Sequence, residues 1–143
     1  MGVHSHTVVA DIDPSAVWER WTNVEGWPID HPGLDKAQLN GPLAKGALGW
    51  VRRPPSRRKR TFRIVEVDRR ALRFVVEFKL VLATLRYERS LERPDAEATD
   101  NWALTHRVVI TGAMAPVWDQ VLGRRFMGEL PTVMANIVAA ASA

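Results

Sequence analysis

The sequence predicts an α+β fold: a curved antiparallel sheet of about seven strands wrapped around one long C-terminal helix. Three observations carry this. Segments of period-two hydrophobicity follow one another from position 36 to position 112, separated by Gly, Pro and Asp turns. The period then becomes helical and stays so to the C-terminus. The 143 residues, 46% of them apolar, suffice for one core, so the chain reads as a single domain over 1–143.

The elements follow in order. From His4 to Ile12, residues His6, Val8, Ala10 and Ile12 alternate onto one face, as in a strand. "DPSAVWERW" then starts a helix, with Asp13 as cap, Pro14 in the first turn and Val17, Trp18 and Trp21 as its apolar stripe. Gly26, Pro28 and Pro32 in "VEGWPIDHPG" end that helix and leave room for one more short helical turn. Two strands follow near Lys36–Leu39 and Ala47–Arg53, and Pro54-Pro55-Ser56 turns the chain. Arg58–Val67 returns as a strand, and Leu72–Leu80, Ala83–Arg93 and Asn101–Gly112 complete the meander, with a turn at 94–100. Trp118, Leu122, Phe126, Leu130, Met134 and Ile137 lie at helical spacing in the last segment, and Pro131 predicts a kink there.

Composition narrows the function. The formal charge of +4 is local: ten Lys/Arg fall between Arg52 and Arg73 against only Glu66 and Asp68, while the rest of the chain is net acidic. Nucleic-acid binding is disfavoured, because "RRPPSRRKR" is a hairpin tip with little aromatic interleaving, its arginines turned to water. An acidic partner, such as an acyl carrier protein, at the Arg52–Arg60 hairpin is the better expectation. Cysteine is absent, which excludes disulfides and thiolate metal sites. No apolar run is long enough to span a membrane and no secretion signal is visible, so a cytoplasmic location is expected. No metal or cofactor is expected: His4 and His6 share a strand face but lack a third ligand.

A curved sheet diverges from a straight helix at its ends, so an internal apolar cavity is expected between them. Its wall should carry Trp50, Phe74, Phe78, Trp102 and Leu104 from the sheet and Phe126, Leu130 and Met134 from the helix. The alternative is that these side chains fill each other's space as ordinary core. Three polar residues share the inward register: Tyr87, Arg89 and His106. Arg89 could clamp a carboxylate or polarise a carbonyl, His106 could shuttle a proton, and Tyr87 could donate to the same oxygen. The loop "WPIDHPG" should sit at the mouth, offering Trp27 as a ligand contact and Asp30-His31 as a carboxylate-oriented histidine.

"VWERWTNVEGWP", "NGPLAKGALGW", "IVEVD", "LTHRVVITGAMAPVWDQVLGRR" and the "LP" of the last helix together resemble the SRPBCC superfamily, the helix-grip fold of START and Bet v 1 proteins, and within it the polyketide cyclase/dehydrase-like branch. The resemblance covers nearly the whole chain. It implies a seven-stranded sheet gripping the C-terminal helix around a deep apolar pocket. It also implies binding of an apolar, carbonyl-bearing small molecule, polyketide-like or lipid-like, with cyclisation or dehydration by enolate stabilisation as the expected activity. A non-catalytic lipid or small-molecule carrier is the alternative. A homodimer is the expected assembly. The resemblance departs at Arg89, where similar proteins often carry histidine.

Overall fold

The computed structural model describes residues 2–93 and 101–142. The turn expected at 94–100 lies outside the described residues. The elements are β1 (Gly2–Asp11), α1 (Pro14–Thr22), a 3₁₀ turn (Val24–Gly26), α2 (Trp27–Asp30), β2 (Lys36–Asn40), β3 (Leu48–Arg52), β4 (Lys59–Asp68), β5 (Arg73–Leu80), β6 (Ala83–Glu92), β7 (Asn101–Thr111) and α3 (Ala115–Ala141). All seven strands form one antiparallel sheet in the order β1-β7-β6-β5-β4-β3-β2. The meander from β2 to β7 is sequential, and β1 is the one strand that pairs far away in sequence, Gly2 with Ile110 and Asp11 with Asn101.

Local chemistry explains the boundaries. The Asp13 carboxylate accepts from the Ser15 N–H at 3.0 Å, and Pro14 occupies the first turn of α1. Asp13 N–H donates to Ala141 O at 2.8 Å and Ile12 bridges Ser142, so the entrance of α1 is tied to the exit of α3. α3 runs as one element across Pro131, which withholds one backbone donor. β4 is bulged between Ile64 and Glu66, which returns Val67 to the register of Phe74.

One face of the sheet holds Phe62, Ile64, Phe74, Val76, Leu104, Val108 and Ile110, all at most 1% exposed. Opposite them lie Leu130, Val133, Met134 and Ile137 of α3, with Val17, Trp21, Val24 and Trp27 closing one end. The core is therefore lopsided. The α1 end is filled with aromatic rings, Trp18 and Trp27 both standing edge-on to Phe74. The other end, under the β3–β4 and β5–β6 turns, is hollow.

β3 corrects one expectation. Its inward positions are Gly49 and Val51, and Trp50 lies on the opposite face beneath the ammonium groups of Lys59 (4.4 Å) and Lys36 (5.9 Å). Gly49 pairs with the inward-facing Phe62, and position 49 suits glycine because a Cβ there would come within 2.5 Å of the Phe62 ring and of Gln38 O. Phe62 takes that space, and Trp50 is not a wall of the cavity.

Candidate functional site

The hollow end is a cavity of about 320 Å³. Of the residues predicted as its lining, Trp27, His31, Phe78, Tyr87, Arg89, Phe126 and Leu130 line it. Phe74, Leu104 and Met134 do not: each is fully buried in the filled half of the core. Trp102 is half-buried and packs against that core, under the Arg93 guanidinium. The sequence pattern placed them on the correct face but could not reveal that α1 fills that half. Val51, Arg53, Leu34, Leu122, Val133 and Glu129 join the lining and were not anticipated.

The polar floor is built on β6 and β7. Tyr87 and Arg89 project from alternate positions of β6, and His106 stands opposite Arg89 on β7. Trp21, from α1, donates its indole N–H to His106 Nε2 at 3.2 Å, and His106 Nδ1 lies 2.9 Å from Tyr87 Oη. An indole can only donate, so Nε2 must be the unprotonated nitrogen. The neutral ring then carries its proton on Nδ1 and donates it to Tyr87 Oη. Tyr87 keeps its own hydroxyl hydrogen for a third group, and the cavity is the open side. Burial pushes the Tyr87 phenol up to about 12, with Arg89 opposing, so it remains a donor at neutral pH.

This geometry places His106 poorly for shuttling a proton. Burial first, then Arg89, His31 and His6, hold its pKa well below the usual imidazole value. Both ring nitrogens are already engaged. What it does in the structure is hold the Tyr87 hydroxyl through that bond. Trp21, which completes the chain of donors, was legible as a core aromatic but not as the residue that sets this tautomer.

Arg89 is the electrostatic anomaly. It is 3% exposed, forms no ion pair among the described residues, and its Nη1 lacks a hydrogen-bond partner. Three rings surround its guanidinium: Tyr87 at 4.2 Å, Trp27 at 4.8 Å and Phe74 at 5.6 Å. These faces offset part of the desolvation of the cation but supply no counter-charge. Burial lowers its pKa to about 10, so it stays protonated at neutral pH.

The Asp30-His31 pairing does not form. The Asp30 carboxylate takes two bonds from Arg20, Nη2 to Oδ1 at 2.6 Å and Nε to Oδ2 at 3.0 Å, and the Asp30 carbonyl accepts from Asn136 Nδ2. It fastens α2 to α1 and α3. Adjacent residues in a helical turn point apart, so His31 faces the cavity alone. Burial first, then Arg89 and Arg53, lower its pKa to about 3. Arg53 also departs from the water-facing hairpin expected of it. Its guanidinium reaches across the opening to Glu129 of α3, with 2.6 and 3.0 Å bonds. Gly33 sits against this pair, where a Cβ would run into both partners. His4 is held by Asp119 at 2.5 Å.

Two histidines held neutral make stability pH-dependent. Their folded pKa values lie below the unfolded 6.5, so their contribution is complete above 6.5 and is lost as pH falls. His31 is expected to cost up to about 1.4 kcal/mol per pH unit between 6.5 and about 3, and His106 adds a loss of the same sign as pH falls below 6.5. Urea midpoints at pH 7, 6 and 5 should fall accordingly, and His31→Gln should roughly halve the slope.

No curated protein matches the chain by sequence. Among solved structures, norcoclaurine synthase from Thalictrum flavum superposes with a TM-score of 0.72 at 13% identity, over 95% of this chain and 90% of that one. The di-domain ARO/CYC protein BexL of the BE-7585A biosynthetic pathway gives 0.73 at 13% identity, over 96% of this chain and 46% of that one. A Thermobifida fusca protein gives 0.71 at 16% identity, over 99% and 97%. At such identities the likeness is one of fold. The family described as polyketide cyclase / dehydrase and lipid transport matches residues 1–142 by sequence, and the chain belongs to that family.

Proposed function

We propose that the cavity binds an apolar, carbonyl-bearing small molecule and promotes loss of a proton beside that carbonyl, the first step of a cyclisation or dehydration. The observation that carries this is Arg89: a buried cation without a counter-charge among the described residues, next to a phenol whose hydrogen is free to point into the cavity. A neutral ketone accepts from both groups. An enolate, with negative charge on the same oxygen, satisfies them far better, and that difference accelerates the step. Glu129 is the carboxylate among the lining residues and is the base in this reading. The C–H proton passes to Glu129, the enolate carbon attacks a second carbonyl of the same molecule, and the new alkoxide takes a proton back.

One observation favours a non-catalytic carrier instead. Glu129 is engaged by Arg53, and His106 has no free lone pair. The two readings separate by α-proton exchange of 4-phenylbutan-2-one in D2O, followed by NMR. If the cavity enolises, wild type accelerates exchange over buffer, and Tyr87→Phe and Glu129→Gln each slow it about 100-fold with little loss of affinity. Binding without exchange would leave the carrier.

A further inference from the structure

The lining of the cavity is electrically one-sided. It holds six cations, Arg53, Arg58, Arg60, Lys79, Arg89 and Arg125, against a single acid, Glu129. Glu129 is taken by Arg53. Elsewhere in the molecule, Arg20, Arg52, Arg73 and Arg107 each have a carboxylate partner. The other five cavity cations form no ion pair among the described residues.

They fall into two groups. Arg89 is buried at the floor, whereas Arg58, Arg60, Lys79 and Arg125 are exposed around the opening. Three separate elements supply that rim: the β3–β4 hairpin, the end of β5 and α3. The apolar walls between rim and floor include Val76, Phe78, Leu85, Phe126 and Leu130. A low-dielectric wall lined by charges of one sign concentrates the potential inside, which raises the local concentration of anions and repels cations.

We propose that the ligand is an anionic amphiphile: an apolar body in the cavity, its carbonyl at Arg89, and an acidic head group at the rim among Arg58, Arg60, Lys79 and Arg125. This rests on the cavity reading above and names the class of molecule it takes. A neutral ligand would leave the rim cations facing one another. A wholly apolar one would leave Arg89 unsatisfied as well. The acidic head matches the rim in sign, and the carbonyl matches the floor in hydrogen-bonding need.

The test uses 11-oxododecanoic acid, a methyl ketone with a carboxylate at its far end, its methyl ester, and the corresponding amino ketone. Binding is followed by calorimetry and by fluorescence of Trp27 and Trp118, both in the lining. The acid should bind about tenfold tighter than the ester at low salt, and the gap should narrow as salt is raised. The double variant Lys79→Glu, Arg125→Glu should bring the acid down to the ester's affinity and bind the amino ketone better than wild type does, a gain that general damage would not produce. Equal binding of acid and ester by wild type would overturn the proposal and leave the cavity reading standing. Failure of all three probes to bind would remove both. Co-sedimentation with phosphatidylglycerol vesicles, without discrimination between acid and ester, would also overturn it, because the rim would then be facing a membrane.

Discussion

Arg89→Met is expected to raise the melting temperature while abolishing enolisation. The cation is buried and forms no ion pair among the described residues, so its neutral replacement removes a cost that three aromatic faces only partly offset. Methionine fills similar volume and packs well against Tyr87, Trp27 and Phe74. A gain of about 1–2 kcal/mol, or about 3–6 °C, is the expected size. The same change should slow α-proton exchange by about 100- to 1,000-fold, because the charge that stabilises the enolate oxygen is gone. Calorimetry and exchange on one sample measure both. A variant that loses stability and activity together would mean that Arg89 is a structural cation whose counter-charge lies elsewhere.

His106→Leu should be the most damaging single change. The ring accepts from Trp21 and donates to Tyr87, both bonds fully buried. Leucine leaves an indole N–H and a phenol oxygen without partners, each costing about 1–3 kcal/mol. A fall of about 10 °C is expected in thermal unfolding. The control is to remove the partners too. With Trp21→Phe and Tyr87→Phe added, the unsatisfied groups vanish and much of the loss should be recovered, which a simple packing defect would not allow.

The strands and the long helix were legible because each keeps one period over many residues, as β5 and β6 do from Arg73 to Glu92. The inward trio Tyr87, Arg89 and His106 followed from the same alternation, and the structure brings the three together. What each does was not legible. The bond from Trp21 to His106 joins residues 85 apart in sequence, and the capture of Asp30 by Arg20 depends on how α1 and α2 turn. Neither leaves a mark on local periodicity. Trp50 failed for a related reason: alternation assigns residues to two faces, and a bulky ring argues for the inner one. The rule holds only until a glycine beside it makes room for a ring from the neighbouring strand.

The pairing of β1 with β7 has a consequence for biosynthesis. Of the seven strands, the earliest, β1, hydrogen-bonds only to the latest, β7, and the loop after β1 is tied to the final turn of α3. Growth of the polypeptide therefore cannot lock the N-terminal ribbon in place as it emerges; ribbon and terminal helix must dock together once translation has passed β7. Until that moment the backbone edge of β1 that later meets β7 stays open to intruding strands.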